Sequence, residues 1–163
     1  MPETPSRIRV AVWRAVRRLG ATAVARSAYV LPDTPVVRQR LAHIRAKTEA
    51  TWSIFTGRFL DPADEAVIVD QARRDRASEY EEILEKCDDF LRDLAKEVNR
   101  RNFTLEEVEE NEADCNKLRT WFREAQERDW LGLPLRSLVD KRLGRCRVAL
   151  DCFALTVQKR LEE

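Results

Sequence analysis

From Pro62 to the C-terminus, apolar residues recur every three or four positions, and no alternating, strand-like stretch interrupts them. This period places apolar side chains on one face of an α-helix, so it constrains the fold more than any other feature. It predicts three long helices, over residues 62–100, 105–129 and about 135–161. Because each helix can bury its apolar stripe only against the others, we expect an antiparallel three-helix bundle over residues 61–163.

The three stripes define the expected core of the bundle. The buried positions should be Tyr80, Leu84, Cys87, Leu91, Leu94, Val98, Leu105, Val108, Cys115, Leu118, Phe122, Ala125, Leu138, Val139, Cys146, Leu150, Phe153 and Val157. None of the four cysteines lies in a C-x-x-C pair, and we expect all of them, including Cys152, to pack as small buried residues in a reducing compartment. The single histidine, His43, completes no familiar zinc spacing with them, so the sequence predicts no metal.

Before Pro62 the helical period is shorter, and β-branched and aromatic residues are frequent. The predicted order is a helix from Pro5 to Gly20 after the cap residue Thr4, short strands at 22–26 and 28–31, a helix over 35–48 and a strand over 51–59. This is the ferredoxin-like βαββαβ pattern without its opening strand. We therefore predict an α+β fold, mostly α overall, with a small incomplete ferredoxin-like head over residues 1–60. Either the true start lies upstream, or another element or subunit covers the exposed strand edge.

Charge is distributed unevenly along the chain, although the formal net charge is only +1. Residues 1–60 hold 11 Lys and Arg against 3 Asp and Glu, whereas residues 61–130 hold 12 against 22. A basic head on an acidic body is typical of a surface that binds phosphate or another anion. It is equally compatible with attraction between head and body, within one molecule or between subunits.

The candidate binding residues are the arginines of this head. They are Arg7, Arg9, Arg14, Arg17, Arg18 and Arg26. The guanidinium fork matches phosphate and oxyanion geometry, and several forks on one helix face could neutralise a DNA backbone or hold a tetrahedral anion such as chromate. The alternative is a solvated helix face that pairs with the acidic body.

Other classes of function find little support. The chain has no Gly-rich phosphate loop, no Ser or Cys beside a plausible His base and no metal-ligand spacing, so we expect neither an enzyme nor a cofactor. It has no apolar run of the ~20 residues that a membrane span needs and no apolar signal core, which favours a cytoplasmic protein. The aromatic residues Trp13, Tyr29, Trp52, Trp121 and Trp130 are scattered, which favours core or subunit packing over a stacking platform.

Several motifs in order resemble one family. They are R-V-A-V-W-R at 9–14, L-G-A at 19–21, S-A-Y-V-L-P at 27–32, F-L-D-P-A-D-E at 59–65 and A-S-E-Y at 77–80, followed by the helical tail. Together they resemble the N-terminal domain family of the chromate-resistance protein ChrB. The head is also distantly similar to the ferredoxin-like domain shared by the phenylacetate repressor PaaX and CRISPR-associated proteins.

The resemblance implies a cytoplasmic regulator of a chromate-resistance operon, expected to act on promoter DNA and to respond to chromate. Members of this family usually begin with an apolar strand, and full-length ChrB carries a second, C-terminal domain; neither is present in this sequence. The competing hypothesis is a structural or protein-interaction module. In that case the exposed strand edge and the bundle would recruit a partner protein or a second copy.

Overall fold

The computed structural model describes residues 7–48 and 52–162. In these residues the chain is 75% helical and forms five helices and one two-stranded antiparallel sheet, so the predicted α+β class, mostly α, is confirmed. The elements are α1 (Arg7–Arg18), β1 (Thr22–Ala25), β2 (Ala28–Val30), α2 (Pro35–Lys47), α3 (Pro62–Arg100), α4 (Leu105–Arg128) and α5 (Leu135–Leu161).

Local capping explains why α2 and α4 begin where they do. Thr34 Oγ1 accepts a hydrogen bond from the Val37 amide at 3.2 Å, directly before Pro35 at the start of α2. Thr104 Oγ1 accepts one from the Glu107 amide at 3.2 Å at the start of α4. Each hydroxyl satisfies an amide that has no partner within the helix. The predicted cap at Thr4 lies outside the described residues.

The sheet is a single hairpin of β1 and β2. Thr22 pairs with Val30 and Ala23 with Tyr29, and the register shifts between Ala23 and Ala25. The predicted strand over 51–59 is wrong for residues 52–59, which form no ladder with any described residue, while Thr51 lies outside the described part. A strand is stable only when its backbone pairs with a neighbour, and an alternating sequence does not by itself supply one.

The chain divides into two compact units, and the division falls inside α3. One unit comprises Met1–Asp75 and Glu127–Leu131, and the other comprises Arg76–Gln126 and Gly132–Glu163. The first unit is therefore discontinuous in sequence, because it includes the segment that joins α4 to α5. The sequence-based division at residue 60 stays a prediction.

The second unit is a helical bundle with an apolar core. Tyr80, Ile83, Cys87, Val139 and Cys146 are fully buried in it. The Cys146 thiol donates to the Cys87 carbonyl oxygen at 3.6 Å. The side-chain interaction with Cys146, together with burial, raises the pKa of Cys87, so this thiol stays protonated and packs as a small hydrophobic residue.

Four of the predicted core positions are wrong. Cys152 is exposed, whereas Leu150 and Phe153 are buried. Cys152 precedes Phe153 by one residue, and each residue of an α-helix turns the side chain by about 100°, so Cys152 points away from the buried stripe. Leu138 is 45% exposed because its neighbour Val139 takes the inward position. Val98 and Leu105 are also exposed, one near the end of α3 and the other at the start of α4.

Candidate functional site

Helix α1 has one buried face and one solvent face. Val16 is 7% exposed, and Val12, Ala15 and Leu19 are half-buried on the same side. The helix ends where Leu19 and Gly20 donate to the carbonyl oxygens of Val16 and Arg17. Gly20 then adopts a φ of +83°, a conformation that favours glycine. The apolar face therefore anchors α1, and the opposite face is left to the arginines.

Three of the candidate arginines share that solvent face. Arg14, Arg17 and Arg18 are exposed, and their spacing of three and four residues keeps them within about 6 Å along the helix axis. Arg9 is exposed one turn earlier. Arg7 is the first residue of α1, but its side chain lies outside the described part of the chain.

The remaining candidate, Arg26, lies elsewhere in the head. It occupies the turn between β1 and β2 and is exposed. The structure therefore brings Arg14, Arg17 and Arg18 together on α1 and places Arg26 on the hairpin rather than on that helix.

Two arginines of α1, Arg14 and Arg18, differ in their partners from two arginines of α2, Arg38 and Arg40. Arg38 forms a bidentate pair with Asp33, at 2.5 and 2.6 Å, and Arg40 lies 3.5 Å from Glu127. Within residues 7–48 and 52–162, by contrast, Arg14 and Arg18 form no ion pair. Their guanidinium groups donate to no described carboxylate, so they can bind an external anion without first breaking an ion pair.

A groove of about 480 Å³ adjoins this face. It is lined by Ala15, Arg18, Leu19, Gln39, Arg40, His43, Ile44 and Glu127. Its apolar lining comes from Ala15, Leu19 and Ile44, while its polar groups are two guanidiniums, an imidazole, an amide and one carboxylate. Arg18 belongs both to the groove and to the solvent face of α1, so an anion held at either place would contact it. The residues that the structure describes contain no group of His, Cys, Asp and Glu side chains able to hold a metal ion.

Two tryptophans have roles that the sequence did not reveal. The Trp130 indole N–H donates to the Gly20 carbonyl oxygen at 3.2 Å, which ties the segment after α4 to the end of α1. Trp13 is 45% exposed on α1, and the Arg17 guanidinium lies 6.0 Å from its ring centroid. The sequence signal for Trp13 was its spacing of four residues from both Arg9 and Arg17.

The fold and the site define a class of protein: a mostly helical α+β chain whose small head presents an arginine-rich helix face. The family model described as "Protein ChrB, N-terminal" matches residues 9–163, and the chain belongs to this family, which is associated with chromate resistance. The resemblance inferred from the motifs is thereby confirmed. No curated protein and no solved structure matches the chain. No helix in the described ranges combines the length and apolarity that crossing a bilayer requires.

Proposed function

We propose that this chain is a non-enzymatic regulatory domain of a chromate-resistance operon and that it acts on promoter DNA in the cytoplasm. The observation that supports the proposal is the solvent face of α1. There Arg14, Arg17 and Arg18 lie within one turn of helix, and the described residues offer no carboxylate partner to Arg14 or Arg18. A phosphate backbone supplies the negative charges that this face lacks.

The proposal predicts how steeply the affinity for DNA falls as the salt concentration rises. For duplex DNA, each phosphate that an arginine neutralises makes the slope of log affinity against log salt concentration more negative by about 0.9. Three such contacts therefore give a slope near −2.7, which means a loss of about 40-fold in affinity between 50 and 200 mM salt.

The test is binding of the purified chain to the DNA upstream of its own gene, measured by fluorescence anisotropy at several salt concentrations. The triple variant Arg14→Glu, Arg17→Glu, Arg18→Glu should lose binding. The matched control changes three exposed basic residues of α5 in the same way and alters the net charge equally; these residues are Arg136, Lys141 and Arg145. The control should bind almost as tightly as the wild type. Equal losses in the two variants, or no binding at low salt, would contradict the proposal.

A tetrahedral oxyanion is the expected effector at the same face. Guanidinium forks bind chromate as they bind phosphate, so chromate should compete with DNA for these arginines. Sulfate is the matched control, since it has the same shape and charge. Release of DNA by chromate at concentrations where sulfate has no effect would support a regulatory site. Equal effects of both anions would show that the face does not distinguish chromate from other tetrahedral oxyanions, which would contradict a chromate-specific effector site.

A second candidate, a protein-interaction module, is favoured by a separate observation. In the segment before α3, Phe55 is 89% exposed and Leu60 is fully exposed, together with Ile54 and Phe59. Apolar side chains gathered on a surface are typical of protein contacts. If a second copy covers them, sedimentation should show concentration-dependent association that the double variant Phe55→Ser, Leu60→Ser abolishes. A wild-type chain that stays monomeric at all concentrations would exclude self-association.

A further inference from the structure

Trp13 differs from every other tryptophan in the chain. The indole N–H groups of Trp121 and Trp130 donate to Glu79 and to the Gly20 carbonyl oxygen, and all three other tryptophans are partly buried. Trp13 is 45% exposed at the middle of α1, on the helix that presents the arginines. Its packing within the described chain therefore leaves a large aromatic face in water.

Arginines flank this ring along the helix. Arg9 precedes Trp13 by four residues and Arg17 follows it by four, a spacing that places side chains next to one another on a helix. The Arg17 guanidinium lies 6.0 Å from the ring centroid, at the outer limit of a cation–π contact. An occupant that complements this arrangement must carry negative charge and also a flat π-face.

We propose that Trp13 is a stacking platform for an unpaired nucleobase, so that the head binds DNA containing an unstacked base more tightly than a continuous duplex. This inference rests on the proposed DNA-binding function and deepens it by naming the form of DNA. A nucleic acid is the polymer that combines phosphate charge with π-faces. In an intact duplex those faces are covered by neighbouring base pairs, so only an unpaired or displaced base can lie on the indole.

The composition of α1 leaves arginine as its reader of base edges, and arginine reads guanine. Its sequence, R-I-R-V-A-V-W-R-A-V-R-R, contains no Asn, Gln, Ser, Thr, Asp or Glu. The amide and carboxylate groups that recognise adenine and cytosine edges are therefore missing from this helix, whereas every base presents a π-face. The helix is therefore suited to binding that depends on the form of the DNA, with reading of base edges confined to guanine.

The test uses one DNA sequence in three forms: a continuous duplex, the same duplex with a single-base bulge, and the single strand. The wild type should bind the bulged and single-stranded forms about 5- to 150-fold more tightly than the duplex, the range given by base–aromatic stacking. Tryptophan emission should be quenched on binding. Trp13→Leu should lose the preference and the quenching but keep the salt slope, because the arginines remain. Trp13→Phe should recover part of the preference.

Trp121→Phe is the matched control, because it removes an indole from α4 and should leave both preference and quenching intact. The inference is overturned if Trp13→Leu retains the preference, or if the wild type binds all three forms equally; in either case DNA binding itself stands. If no form of DNA binds at low salt, the proposed function fails as well. Vesicles of anionic phospholipid provide the last comparison. A blue shift of tryptophan emission on vesicles that Trp13→Leu removes, without quenching by DNA, would overturn the inference in favour of a membrane-surface helix.

Discussion

Replacement of Gly20 by alanine should destabilise the head severely. A Cβ at this position would overlap the Arg128 carbonyl oxygen and would lie 3.1 Å from two further backbone atoms of that residue. None of these atoms belongs to a flexible side chain that could move aside. In addition, the φ of +83° suits glycine and disfavours every residue with a Cβ.

Three effects contribute to the loss of stability that we expect for Gly20→Ala. The left-handed backbone costs about 1–2 kcal/mol, and the forced overlap with a backbone carbonyl costs about 1–3 kcal/mol. Displacement of the chain also weakens the hydrogen bond from the Trp130 indole to the Gly20 carbonyl oxygen, which is worth about 1 kcal/mol. The free energy of unfolding should therefore fall by about 3–6 kcal/mol, a large part of the ~5–15 kcal/mol typical of a domain.

Urea unfolding followed by circular dichroism measures this change, and two other glycines separate its causes. Gly132 has a φ of +67° but nothing within 4 Å of an added Cβ, so Gly132→Ala carries the backbone cost alone, about 1–2 kcal/mol. Gly144 lies inside α5 with open space around it, so Gly144→Ala should stabilise the protein by about 0.5–1 kcal/mol. If Gly20→Ala costs no more than Gly132→Ala, the close approach of Arg128 to Gly20 is refuted.

Three further predictions concern charge, thiols and packing. The hydrogen bond from Arg38 holds the pKa of Asp33 below its ordinary 3.8, so the stabilisation by this pair is present above that pH and is lost as the pH falls through the lowered pKa; carboxyl NMR should show the pKa return towards 3.8 in Arg38→Gln. In the native protein a thiol reagent should modify Cys152 and spare the three buried cysteines, as mass spectrometry can establish, and rapid modification of a second thiol would contradict the core described above. Ile83→Ala should lower the free energy of unfolding by about 2–5 kcal/mol, whereas Leu155→Ala, on the exposed side of α5, should change it by about 0.5 kcal/mol or less in denaturant titrations.

The long helices could be predicted from the sequence because their signals are local. Periodicity and the cap residues placed α3, α4 and α5 within a residue or so of their observed limits. The strand over 51–59 could not be predicted correctly, since alternation within one segment says nothing about whether a partner strand lies beside it. The inward positions near helix ends failed for a similar reason. Leu138 and Val139 have comparable hydropathy, and only the packing decides which of them faces inward.

The candidate site was predictable to the same extent. Spacing alone placed Arg14, Arg17 and Arg18 on one face of α1, because the helical repeat fixes the direction of each side chain. Whether those arginines pair with carboxylates depends on tertiary structure. The same limit applies to Trp13, whose exposure results from what packs near α1 and not from its neighbours in sequence. The contact between Trp130 and Gly20 joins residues that are 110 positions apart, so no local sequence pattern predicts it.

That contact also has a consequence for how the chain folds during synthesis. Helix α1 and the β1–β2 hairpin leave the ribosome early, but the indole that donates to the Gly20 carbonyl oxygen emerges only after α3 and α4 have been made. The first unit therefore cannot complete its contacts as a nascent N-terminal fragment, and it must wait for residues Glu127–Leu131. A fragment that ends before Trp130 contains α1 and the hairpin but lacks the indole that donates to the Gly20 carbonyl oxygen. The segment from α1 to the hairpin should therefore be less stable in this fragment than in the whole chain.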